Sequence, residues 1–177
     1  MYFPKNVLNI VIFTVGFMAG ITVATLYYLN HIDSATNKVN IKIGEQYIVA
    51  EMAKTEADRQ KGLGGRTSIG LNEGMYFMFD EPGVYSFWMK DMKFPIDLVW
   101  ISNGKIVGFE ENMQPPADPN APDSQLKSYL PLELVDRVLE LHAGRVALFK
   151  ATVGDSVLVK PLVPGIQAAQ QNQPVVY

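Results

Sequence analysis

Two hydrophobic patterns divide the chain. From Val7 to Leu29 there is no charged side chain at all, whereas beyond Asn37 short apolar runs alternate with Gly, Pro, Asn and Asp. As an α-helix the first stretch, VLNIVIFTVGFMAGITVATLYYL, extends roughly 34 Å, enough to cross a hydrocarbon core of about 30 Å. Its polar members are chiefly Thr, Gly and Asn9, which a membrane helix accommodates. Tyr27 and Tyr28 fall at the outer end, where amphipathic rings favour the headgroup layer. Lys5 precedes the segment and Asp33 follows it, so the charge bias sets the N-terminus inside and the remainder on the extracytoplasmic side. A cleaved signal peptide would have a shorter apolar region ending in a small-x-small site, not in Tyr-Tyr-Leu-Asn. The expectation is a signal anchor, a single transmembrane helix of the cytoplasmic membrane.

The second pattern predicts strands. Ile41 and Ile43 alternate with Lys42, Gly44-Glu45 reads as a turn, and Tyr47 to Met52 returns, forming a hairpin. Thr55-Glu56-Ala57-Asp58 is a capping-box-like helix start with Asp in the place of Glu or Gln, and Gly62 is the stop. Met75 to Phe79, Val84 to Met89 and Ile96 to Ser102 are strand-like runs. Asn103-Gly104 joins the last to Lys105–Phe109 and is the strongest short hairpin signal in the chain. Pro115, Pro116, Pro119 and Pro122 fill a long loop reaching to about Lys127. Val138 to Leu141 fits a strand or a helix end equally well. Ala143-Gly144 breaks the chain before a short amphipathic helix through Lys150, and Ser156 to Val159 closes as a strand.

These elements predict an all-β fold, a mostly antiparallel sandwich or barrel with one or two short helices, preceded by one N-terminal transmembrane helix. The segments are a cytoplasmic tip and membrane helix at 1–30, a tether at 31–38, the β domain at 39–160 and a loose tail at 161–177. The 177 residues suffice for one domain and an anchor but not for two full cores.

Composition narrows the chemistry. Cys is absent, which excludes disulfides, thiolate nucleophiles and cysteine-ligated metals. Only His31 and His142 could supply imidazole, and His31 belongs to the membrane edge, so no metal site is assigned. His142 reads as a surface or capping residue. Asp118, Asn120 and Asp123 are oxygen-rich but match no calcium-loop spacing. The formal charge is −3, with no basic run, so nucleic acid is not an expected partner. No phosphate cradle or Gly-x-Ser-x-Gly elbow is present, and no cofactor is implied.

Taken in order, several motifs resemble one family. Gly62-Leu63 with Arg66, Gly74-Met75-Tyr76-Phe77-Met78-Phe79, Phe87-Trp88-Met89-Lys90, Pro95-Ile96-Asp97-Leu98-Val99, Val138-Leu139-Glu140-Leu141 with Ala143-Gly144, and Gly154-Asp155 look like the DUF192 family. That uncharacterised family occurs in bacteria and archaea and is often exported. The resemblance covers roughly Val39 to Val159 and implies a compact, mostly antiparallel β fold, but no activity. Family members usually carry Met after the Gly-Leu pair, where this chain has Gly64.

Five residues are candidates for ligand binding or for buried ion pairs: Arg66, Trp88, Lys90, Asp97 and Glu140. Asp97 interrupts an otherwise apolar run and by alternation shares a face with Val99 and Ile101, so it needs a partner; Arg66 and Lys90 are the expected cations. Glu140 repeats the pattern within Val138–Leu141. Two such carboxylates would suit glycoside hydrolysis if they faced each other across a cleft. Trp88 and Trp100 read as core, although an exposed Trp88 could stack on a sugar ring. No catalytic set is assigned. The leading expectation is a membrane-tethered extracytoplasmic binding or interaction module whose partners are the membrane, through residues 7–29, and an unknown envelope ligand or protein. The alternatives are an envelope- or glycan-directed hydrolase using Asp97 and Glu140, and an envelope assembly or stability factor.

Overall fold

The structure is a computed structural model in which residues 21–23, 25 and 37–162 are described. It divides into two units, Met1–Asn37 and Lys38–Tyr177. In the first, residues 21–23 and 25 are helical, with the Thr25 hydroxyl donating to the Ile21 carbonyl at 2.8 Å. The rest of the expected anchor at 7–29, most of the tether and nearly all of the tail lie outside the described residues. Among the described residues no helix is long and apolar enough to cross a membrane.

The second unit is mostly β sheet. Strands β1 (Lys38–Ile43) and β2 (Gln46–Ala53) form the expected hairpin, with Ile43 opposite Gln46. Helix α1 (Glu56–Lys61) starts as its sequence predicts. The Thr55 hydroxyl accepts from the Asp58 N–H at 3.1 Å, and the Asp58 carboxylate accepts from the Thr55 N–H at 3.1 Å. Asp58 thus closes the capping box with a shorter arm than Glu. Strands β3 (Glu73–Gly83), β4 (Ile96–Ser102), β5 (Lys105–Met113) and β6 (Val135–His142) follow, then helix α2 (Arg145–Phe149) and strand β7 (Val157–Pro161). Asn103 and Gly104, at φ +50° and +71°, make the tight turn between β4 and β5.

The strand order is β5-β4-β6-β3-β2-β1-β7. Every neighbouring pair is antiparallel except β2 with β3. A parallel pair needs a long crossover. Residues 54–72, containing α1 and the glycine-rich stretch, supply it. The two edge strands approach at one corner, where Lys105 bridges Ser156 and the Val157 N–H donates to the Gly104 carbonyl at 2.8 Å. The sheet therefore curls into a partly closed barrel.

Two expectations are corrected. Val84–Met89 is not a strand of the sheet: it makes one isolated bridge, Phe87 to Tyr129. β3 already has β2 and β6 on its two sides, so this segment cannot pair back onto it and folds over with Phe87 and Met89 buried on the sheet face. The proline-rich loop extends beyond Lys127 and contains a 3-10 turn at Asp123–Gln125, with β6 beginning only at Val135. Val138–Leu141 is strand.

The curled sheet has apolar side chains on both faces. Ile41, Ile48, Val99, Ile101, Leu139 and Leu141 pack on one side, which α2 covers through Val146. Phe77, Leu98, Trp100 and Val138 pack on the other, beneath Leu63 of the crossover and Phe87 and Met89 of the folded-back segment. β4 is buried on both faces, which explains its unbroken hydrophobic run.

Asp97 lies within the first of these cores and is wholly buried. The expected cations are not its partners. Its Oδ1 accepts from the Asn112 N–H at 2.8 Å and its Oδ2 from the Val146 N–H at 2.9 Å. Asn112, at φ +52°, belongs to an irregularity where the β4–β5 register slips, and Val146 lies in the first turn of α2. The carboxylate thus satisfies two backbone donors that a bulge and a helix end leave without ladder or helical partners. Asp97→Asn should lower stability by about 2–4 kcal/mol, because an amide cannot accept at both ends. Its effect should add to that of Arg66→Ala within about 0.5 kcal/mol. Denaturant midpoints of the two variants and their double check this; strong coupling would contradict the backbone-anchored role.

Candidate functional site

The opposite face of the sheet carries the site. Register aligns Glu51, Met75, Glu140 and Leu98 in one row across β2, β3, β6 and β4. Glu140 is therefore directed to the face away from Asp97, which pairs across the ladder with Leu141. The two carboxylates sit on adjacent strands but opposite faces, so they do not form an acid–base pair across one cleft.

Over this row lies a groove of about 530 Å³. Phe77 and Glu140 line it from the sheet, Gly62, Leu63 and Gly64 from the crossover, and Phe87, Trp88 and Lys90 from the folded-back segment. The aromatic wall is ordered by edge-to-face contacts: Phe87 meets Phe77 with centroids 4.9 Å apart and Trp100 at 5.5 Å. Phe79 stacks on Tyr85, and the Arg59 guanidinium lies 5.5 Å from the Phe79 ring centre. Phe87 is buried, but Trp88, next in sequence, is 42% exposed, and both line the groove.

Glu140 is 5% exposed, and its Oε2 has no hydrogen-bond partner among the described residues. Burial pushes its carboxyl up to about 8, against an opposing pull from the Arg66 charge. At neutral pH it is held mainly as the uncharged acid, able to donate one hydrogen bond and accept others. Gly62 packs beside the acid. At φ +49° it adopts a conformation that favours glycine, and a Cβ there would stand 3.9 Å from Oε2 and 3.6 Å from Phe77 Cζ. Gly64, where the family resemblance leads one to expect Met, also lines the groove. A Cβ at that position would lie 2.9 Å from the Lys61 carbonyl oxygen, so a side chain requires the turn to shift.

The other candidates have separate partners. Arg66 makes a bidentate pair with Glu51, both contacts at 2.8 Å, which holds the Glu51 carboxyl below its usual range. Both side chains are about one-third exposed, so the pair fixes the crossover to β2 more by geometry than by energy. Lys90 reaches Asp123 of the long loop at 2.7 Å and lies 5.3 Å from the Trp88 ring centre. Trp100 is core, as expected, and the His142 Nδ1 meets the Ala143 carbonyl at 3.0 Å. Three contributors were not singled out in the sequence: Arg59, Phe87 and Tyr85. The Phe87-Trp88 motif carried a signal, but its strand reading assigned both side chains to a sheet.

The DUF192 family profile, described as Uncharacterized ACR, matches residues 38–159. The chain belongs to this family. Its fold is similar to the crystal structure of a proposed transcription regulator from Sinorhizobium meliloti 1021, with 27% identity, a TM-score of 0.60, and 69% of this chain and 92% of that one covered. It is also similar to a protein of unknown function from Novosphingobium aromaticivorans DSM 12444, at 26% identity and a TM-score of 0.58, covering 68% and 83%. The comparison with curated proteins found no match.

The buried acid predicts a pH dependence. Glu140 has its folded-state pKa raised from 4.5 to about 8, so the folded protein retains a proton that the unfolded chain gives up. Its contribution to stability is complete below the unfolded value and is lost as pH rises through the folded one. Wild type should therefore lose about 3–5 kcal/mol from this group between pH 4.5 and 8. Glu140→Gln should lack that loss, so the stability difference between variant and wild type should move in the variant's favour as pH rises. Denaturant unfolding at pH 5 and pH 8 measures it; a pH-independent difference would refute the buried, protonated acid.

Proposed function

We propose that the protein is a membrane-tethered, extracytoplasmic binding module whose groove receives a small ligand on Glu140. The observation that carries this reading is Glu140, which lines an aromatic groove with its Oε2 enclosed and without a partner among the described residues. A buried polar atom without a partner costs stability, and sites that bind ligands are where such a cost persists. The volume falls in the range of small-molecule sites, and convergent aromatic and polar groups are their usual lining. Asp97, the second carboxylate that hydrolysis would have used, lies on the opposite face of the sheet, which supports binding over hydrolysis by that pair. The tether rests on the uncharged run at 7–29 and the Lys5 and Asp33 bias. The transcription role proposed for the Sinorhizobium relative is not adopted, because this chain has a net charge of −3 and no basic run to track phosphates.

Two experiments test the reading. The full chain, in detergent, should be screened by thermal shift against amino acids, dipeptides, nucleosides, oligosaccharides and phosphoalcohols. One class should raise the midpoint, and Glu140→Leu should remove that gain. Stabilisation by none of them, or a gain untouched by Glu140→Leu, would count against the groove. For the tether, alkaline phosphatase fused after Tyr177 should be active and β-galactosidase at the same point inactive; the reverse pattern would overturn the assigned side.

A further inference from the structure

We propose that the groove is a site for an uncharged carbohydrate, with a pyranose face stacked on Trp88 and a hydroxyl held by Glu140. The proposal rests on the binding reading above and names its ligand class. Charge comes first. The acidic residues lining the groove besides Glu140 are Glu56, Asp80 and Glu81, and the basic ones are Arg59, Lys61 and Lys90, so the lining carries no net charge while Glu140 holds its proton. Two of these cations are already engaged. Arg59 donates to the Lys54 and Met78 carbonyls at 2.7 and 3.0 Å and pairs with Glu56 at 3.0 Å, and Lys90 pairs with Asp123. An anionic ligand would find Arg59 and Lys90 already paired and three acidic side chains around the groove, with Lys61 alone to answer them. A cationic one would meet at Glu140 a carboxyl that burial holds uncharged and on which the Arg66 charge acts. A neutral group meets neither obstacle.

Hydrogen bonding then selects among neutral ligands. A carboxylic acid offers one donor and acceptor lone pairs, and a hydroxyl can accept from the acid while donating to its other oxygen. A purely apolar ligand would leave Oε2 unpaired and gain nothing from it. Trp88 lines the groove and is 42% exposed beside buried Phe87; Lys90 Nζ lies 5.3 Å from its ring centre, so a stacked ligand would use the ring face away from that ammonium. A pyranose presents C–H groups on its face and hydroxyls at its edge, the two chemistries that Trp88 and Glu140 offer.

The test uses the full chain in a detergent without a sugar headgroup, titrated with cellobiose, maltotriose and di-N-acetylchitobiose. Binding is followed by tryptophan fluorescence and calorimetry, with glucosamine and glucuronic acid as charged controls. At least one neutral sugar should saturate, and the charged controls should bind more weakly. Trp88→Ala should weaken that sugar about tenfold. Glu140→Gln, whose amide keeps a donor and an acceptor, should stay within about threefold, whereas Glu140→Leu should lose more than tenfold. Affinity should also fall as pH passes about 8, when the acid gives up its proton. Thermal midpoints of each variant establish that it is folded. If no sugar binds while another class stabilises the protein through Glu140, the carbohydrate assignment fails and the binding reading stands. If nothing binds, both fail. Sugar binding unaffected by Trp88→Ala and by Glu140→Leu would overturn the proposed site.

Discussion

One carboxylate inside the curled sheet holds three parts of it in place. Asp97 on β4 accepts from Asn112 in the irregular end of β5 and from Val146 in the first turn of α2. Each donor belongs to a point where regular hydrogen bonding breaks down, and the N–H of Val146, buried in the core, would otherwise have no partner. With both oxygens accepting from backbone N–H groups, the side chain pairs with no cation among the described residues. Arg66 and Lys90 are thereby left for other work, at the crossover and at the long loop.

The opposite treatment of the second buried acid follows from its position. Asp97 accepts from two backbone donors, whereas Glu140, one residue off in cross-strand register, turns to the other face, where Oε2 has no donor among the described residues. Two carboxylates embedded in similar apolar runs thus have different chemistry. One is a structural acceptor; the other is a neutral acid beside an open groove. The roof exists because β2 and β3 are parallel: the connection between them has to pass over the sheet, and that connection brings Gly62, Leu63 and Gly64 above Glu140.

Much of this was legible before any coordinates. Alternation assigned Asp97 the same face as Val99 and Ile101, Asn103-Gly104 marked its hairpin, and Thr55 with Asp58 marked the start of α1. These are local signals, carried by residues within a turn or a single strand. What was not legible depends on register between strands. Nothing in Val138–Leu141 alone says that Glu140 lies opposite Leu98 and not Asp97, and nothing near Arg66 points to Glu51, fifteen positions earlier on a strand it crosses. Val84–Met89 has strand-like composition, yet the neighbours of β3 were already taken. Its aromatic residues therefore became the wall of the groove.

The pairing of β1 with β7 has a mechanical consequence. These strands are antiparallel neighbours with Val39 opposite Pro161, so the first and last strands of the folded unit begin and end side by side. Tension applied between those two points would load the hydrogen-bond rungs one after another, as a zipper opens, instead of shearing them together. Along that direction the fold yields at its seam before its centre. The same adjacency makes the unit easy to splice: a host loop need only span the width of one strand pair to carry the whole domain, with its interior undisturbed.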